Sequence, residues 1–94
     1  MTRTNRAIII SLIDSIDQFE AGDLEIGEIQ GKLQVSVDLM EREPQNFASV
    51  VSLAEADLEG IQFTMLLDEQ RPAAAFRLDS LRTVLQSALE ADGL

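Results

Sequence analysis

The chain has 94 residues, with 17 carboxylates against seven Lys and Arg and a formal charge of −10. It contains no His, Cys, Trp or Tyr, so the usual general base near neutral pH, the thiol nucleophile and the soft metal ligands are all missing. Such acidity also repels nucleic acid and anionic lipid, leaving basic proteins as the favoured partners.

The first predicted helix covers about residues 4–20. Ile9, Leu12, Ile13, Ile16 and Phe19 recur at helical spacing, with Ser11, Asp14, Ser15 and Gln18 on the other side. Three consecutive isoleucines also suit a strand, but the spacing of Asp14, Asp17 and Glu20 carries the helical period past them. Gly22 is suited to the left-handed residue that closes the helix.

The second helix is expected over about residues 25–42. Glu25 and Glu28 stand at capping-box spacing, with a carboxylate replacing the usual hydroxyl. Ile26, Ile29, Leu33, Val37 and Met40 supply its apolar face. Gly27 and Gly31 share another face, where they signal either close approach of a backbone or a frayed first turn. Glu43-Pro44 ends this helix, because the residue before proline avoids helical angles.

The third helix is expected over about residues 46–70, capped by Asn46. Val51, Ala54, Leu58, Ile61 and Met65 step at coiled-coil spacing and form its seam. Phe47, Val50, Leu53 and Leu66 add apolar surface beyond that seam. Arg71-Pro72 reads as the next break, with Pro72 at the first position of a fourth helix over about residues 72–91. Leu78, Leu81, Leu85 and Ala88 follow at core spacing.

The whole reads as one all-α domain, a four-helix up-down-up-down antiparallel bundle, because short turns force sequential helices antiparallel. Its core is aliphatic and thin, since a domain of this size buries only roughly 60–65% of its unfolded surface. Neither a disulfide nor a soft-ligand metal staple is available. The most apolar run, Ala7 to Ile13, is far short of a bilayer span. Arg3 and Arg6 before it imitate the start of a signal peptide, but Asp14 and Asp17 interrupt the pattern and no small-residue cleavage site follows. A cytoplasmic location is expected, and the absence of Cys agrees with it.

Carboxylates are the only candidate functional groups. No basic residue lies between Arg6 and Lys32, where Asp14, Asp17, Asp23, Glu25 and Glu28 fall. Between Arg42 and Arg71 there is again none, and Glu55 and Glu59 fall in that gap. These seven acids are the candidate partner-binding residues, the first five as one face and Glu55 and Glu59 as an alternative face. A contiguous negative patch steers a basic partner at rates well above the neutral baseline. Oxygen ligands alone can hold Mg²⁺, so a Mg²⁺-dependent phosphohydrolase is an alternative. Against it stand the wet setting of Glu55 and Glu59 and the scarcity of bases to hold a phosphate. The expectation is no enzyme, no catalytic residue, no metal and no cofactor. A structural homodimer or adaptor, paired through Phe47, Leu53 and Phe63, is the other alternative.

The stretch from Leu12 to Leu24, LIDSIDQFEAGDL, resembles the opening of small helical immunity proteins of bacterial toxin systems, the colicin D immunity family and its relatives. The acidic segment Ala54 to Glu59 looks like the mid-helix of such proteins. The resemblance covers about half of the chain. It implies a cytoplasmic inhibitor that binds a cognate toxin domain, nucleases among them, with carboxylates standing in for substrate phosphates. The chain departs from the pattern in lacking Trp and Tyr, the commonest interface anchors. Phe19, Phe47, Phe63 and Phe76 are left to serve.

Overall fold

A computed structural model describes residues 1–93. It is all-α, with α1 (Arg3–Glu20), α2 (Ile26–Leu39), α3 (Phe47–Thr64) and α4 (Leu67–Asp92). At about 1.5 Å per residue, the 26 residues of α4 span about 39 Å, close to the 41 Å length of the molecule.

Local chemistry sets each helix end. Thr2 caps α1, its hydroxyl accepting the Asn5 N–H at 3.0 Å. At the other end Gly22 takes a φ of 91°. Asp23 N–H then reaches Gln18 O at 2.9 Å and Gly22 N–H reaches Phe19 O at 3.0 Å. This paired closure is a Schellman motif and depends on the residue without a Cβ. Glu28 accepts the Glu25 N–H at 3.0 Å, completing the expected capping box at the start of α2. Asn46 caps α3 through the Ser49 N–H.

Three helix ends differ from the sequence reading. α2 stops at Leu39 rather than about residue 42. The buried Asn5 amide takes both main-chain groups of Glu41, donating to its carbonyl at 2.9 Å and accepting its N–H at 2.8 Å. That grip holds Glu41 out of the helix. α3 stops at Thr64 rather than about residue 70, and α4 starts at Leu67 rather than Pro72. The Gln70 amide donates to Met65 O at 3.1 Å and Gln62 O at 3.4 Å, satisfying carbonyls that the end of α3 leaves open. Pro72 lies inside α4, where it removes only the hydrogen bond to the Asp68 carbonyl, near the start of the helix.

The four apolar stripes meet in one core. Ile9, Leu12, Ile16 and Phe19 come from α1, and Ile29 and Leu33 from α2. Phe47, Val51, Ala54 and Leu58 come from α3, and Ala74, Leu78, Leu81 and Leu85 from α4. The expected stripes run into this core at their centres and emerge at their ends: Ile61 is half-buried and Met65 is exposed. Each helix packs against its sequence neighbour, and α1 also packs against α4. Arg6 at the start of α1 meets Asp92 at the end of α4, whereas Arg71 at the start of α4 binds Phe19 O and Leu24 O at the end of α1. Asn5 meets Glu43 beyond the end of α2, and Gln30 early in α2 meets Gln62 late in α3. These contacts set α1 antiparallel to α4 and to α2, and α2 antiparallel to α3.

Candidate functional site

The later parts of the two stretches without bases fold to the same end of the molecule. That end gathers the close of α1, the start of α2, the close of α3 and the start of α4. It carries Asp23, Glu25, Glu28, Glu59, Asp68 and Glu69, all exposed. Among the described residues none of these six forms an ion pair within the chain. Arg71 stands at this end, its guanidinium 4.2 Å from the centroid of the Phe19 ring and taken up by main-chain carbonyls, and Arg82 reaches its edge to bind Glu20.

The opposite end is close to balanced. The Met1 amino group, Arg3, Arg6 and Arg42 stand there among Asp38, Glu41, Glu43, Glu90 and Asp92. Asp92 binds the Met1 amino group at 3.2 Å and Arg6 at 3.1 Å. The amino group's pKa is raised above 8.0, first by its hydrogen bond to Asp92. The Asp92 carboxyl is lowered in return by the same bond. Glu43 is also lowered, chiefly by the hydrogen bond from the Asn5 side chain. The molecule therefore has an acidic pole and a near-neutral one.

The seven candidate acids separate in this setting. Asp23 and Glu59 have no hydrogen-bonded partner for their side chains among the described residues. Asp14 accepts only from Gln18, at 2.9 Å. Glu25 and Glu28 are exposed and form the α2 cap. Glu55 accepts from Gln30 and Gln34 of α2, each at 2.8 Å. Gln30 therefore joins the face expected on the first two helices to the one expected on α3, and the two run into one surface. Asp17 carries an internal ion pair with Arg82, which also binds Glu20 at 2.9 Å. Asp57, in the second acidic stretch, pairs with Arg77 at 2.6 Å.

Sequence reasoning did not single out Asp68 and Glu69 as partner-binding residues. The signal was their place in the second base-free stretch, which counts only once α4 is known to begin at Leu67. Among the described residues no three carboxylates converge as a metal-binding group.

Two apolar features accompany the acids. A groove of about 740 Å³ runs between α1 and α2, floored by small side chains such as Ala7, Ser11 and Ser15 and by Gly31, with Val35 and Leu39 beside them. The other is the α3–α4 turn, where Phe63 is 82%, Leu66 69% and Leu67 84% exposed. Phe76 is also exposed, whereas Phe19 and Phe47 are core. The self-pairing surface expected around Phe47, Leu53 and Phe63 thus loses Phe47 and keeps the other two.

No helix among the described residues is long and apolar enough to cross a membrane. Comparison of the chain with protein-family models, with curated proteins and with solved structures finds no match.

Proposed function

We propose that this chain is a stoichiometric binding module, not an enzyme, that neutralises a basic protein partner in the cytoplasm. In this reading it is an immunity protein that blocks the working surface of a bacterial toxin domain, a nuclease being the type its acidity suits best. One observation carries the reading: six exposed carboxylates from all four helix ends, with no internal counter-ion among the described residues, share one pole. A toxin surface built to hold phosphates presents Lys and Arg at similar density. Charge-assisted hydrogen bonds to carboxylates can replace those to phosphate. Long-range attraction speeds the encounter, and both effects weaken with salt. Asp23, Glu25, Glu28 and Glu59 are the principal contacts, with Asp14 and Glu55 at the margin. Asp17 contributes least, because Arg82 already holds it.

The test is binding to a basic protein encoded beside this one, measured across ionic strength. The double variant Asp23→Lys/Glu59→Lys touches two side chains without internal partners, so the fold is retained. Its affinity should fall at least tenfold at low salt, and the salt dependence should flatten. Equal affinities for variant and parent would reject the acidic pole as the binding surface. A second reading, a structural homodimer, is favoured by the exposure of Leu53 and Phe63. Sedimentation at high salt separates the two, because a dimer held by apolar contact persists there.

A further inference from the structure

On the outer face of α3, Leu53, Ala56, Gly60 and Phe63 step by three, four and three residues, and all four are exposed. They form a second helical stripe, turned away from the core stripe of Val51, Ala54 and Leu58. Leu66 and Leu67 continue its apolar surface across the turn into α4. Three details set this stripe apart from ordinary surface. The connection is Met65-Leu66, with none of the polar or glycine residues that turns normally use. Leu66 stands at the N-cap of α4 with no side-chain cap. A Cβ added at Gly60 would meet nothing within 4 Å, so packing within the chain does not require a glycine there.

We propose that this stripe is the seat of a cationic amphipathic helix from the basic partner. Small residues at Ala56 and Gly60, between larger ones at Leu53 and Phe63, make a shallow channel into which the ridge of an incoming helix can settle. Charge chooses the occupant. Glu59 falls on one flank of the stripe, and Asp68 and Glu69 border its end at the turn; these three are the acids that can receive a cation. On the other flank Asp57 is paired with Arg77, which leaves that side neutral, and Arg71 beyond the turn is taken up by the Phe19 and Leu24 carbonyls. A second copy would bring like charges together over the stripe, and anionic lipid would be repelled in the same way. A helix with Leu or Ile at positions i, i+3, i+4 and i+7 and Lys or Arg along one side matches both the apolar spacing and the acids at Glu59, Asp68 and Glu69. The inference rests on the reading of the acidic pole as a site for basic protein and identifies the element that enters it.

The experiment compares two probes on the full chain: a helical Leu/Lys amphipathic peptide and an oligolysine of equal charge. The parent should bind the amphipathic peptide at least tenfold more tightly. Leu53→Ser/Phe63→Ser, altering two exposed side chains, should remove that advantage while oligolysine affinity stays within twofold. Gly60→Gln, which fills the channel without disturbing the core, should weaken the amphipathic peptide similarly. Equal binding of the two probes by the parent, or a peptide affinity unmoved by these variants, overturns the docking proposal but leaves the electrostatic reading intact. Failure of both probes to bind overturns both. A salt-resistant dimer abolished by Leu53→Ser/Phe63→Ser overturns the docking proposal in favour of a second copy as occupant.

Discussion

The Asn5 side-chain amide donates to the Glu43 carboxylate at 2.6 Å, across 38 positions of sequence. Asn5 is 1% exposed, and the same side chain exchanges two hydrogen bonds with the Glu41 main chain. It ties the first turn of α1 to the α2–α3 connection and satisfies main-chain groups that the early end of α2 releases. Replacing it by a shape-similar apolar residue strands those groups away from water. Asn5→Leu should therefore cost about 3 kcal/mol of stability, the scale of one or two unmet buried polar groups. Urea unfolding at neutral pH measures it. A loss below about 1 kcal/mol would mean that the connection simply re-forms its bonds with solvent.

Stability should fall in acid through the same contact. The Glu43 carboxyl is depressed below its ordinary value of 4.5, chiefly by Asn5, and Asp92 lies below 3.8 through its bond to the Met1 amino group. A depressed carboxyl stabilises the fold fully above its unfolded value and ceases to do so as pH falls through its lower folded value. The loss should begin near pH 4 to 5. The Met1 amino group, raised above 8.0, contributes in the opposite sense: its share is complete below pH 8 and is lost as pH rises through the raised value. Melting temperature followed from pH 2 to 10 should show both limbs. Asn5→Leu should remove the Glu43 share of the acid limb, while the Asp92 share and the alkaline limb stay in place.

Arg71 joins three pieces of the acidic pole, standing over the Phe19 ring and donating to the carbonyls of Phe19 and Leu24. Arg71→Ala removes two charge-assisted bonds and a cation–π contact together, with an expected loss of about 2 kcal/mol or more. Arg71→Lys keeps the charge but not the planar guanidinium over the Phe19 ring, so it should recover only part of that stability. If Arg71→Lys matched the parent in thermal unfolding, charge alone would account for the contact.

The parts of this molecule that follow from local pattern were legible in its residues. Ile9, Leu12, Ile16 and Phe19 are a buried helical face in both readings, and the Gly22 closure and the Glu25/Glu28 cap are set within a few positions of chain. What escaped depends on side chains that reach across the fold. Asn5 reads as a surface residue near a helix start until Glu41 is brought to it, and Gln70 reads as part of a helix until its amide is seen on the end of α3. Pro72 reads as a beginning because proline suits that position, yet a missing hydrogen bond close to a helix start is tolerated. The acidic stretches were visible as gaps between bases. That they share a pole depends on the relative direction of the helices, and that Asp17 is taken depends on Arg82, 65 positions away.

Gly27 and Gly31 lie inside α2, and a Cβ added at either meets nothing within 4 Å. The close backbone approach that their spacing suggested is absent within the described chain. Gly31→Ala should therefore stabilise the protein by about 0.5 to 1 kcal/mol, through helix propensity and a less mobile unfolded chain. Gly22→Ala should do the reverse by a similar or larger amount, because φ at that position is 91°. The pair of variants, compared by urea midpoint at unchanged slope, separates a glycine required by the backbone from one that is not. Should Gly31→Ala be neutral for folding but weaken partner binding, the α1–α2 groove would join the stripe on α3 as a docking surface.

Leu66 offers the sharpest separation of stability from binding. It occupies the N-cap of α4 in extended geometry, φ −63° and ψ 150°, with no side chain accepting from the first turn. Serine is at home at this position and supplies the missing acceptor, at a gain of typically about 1 kcal/mol. Little apolar burial is lost, since Leu66 is 69% exposed. For a domain of this size, that gain raises the melting temperature by roughly 4–8 °C. Leu66→Ser also takes away one of the apolar side chains at the end of the α3 stripe. Melting temperature should rise while affinity for a cationic amphipathic helix falls. If both fell together, Leu66 would be part of the packing that holds α3 to α4. Opposite movements would mean that the turn keeps its leucine for an occupant at the expense of its own helix cap.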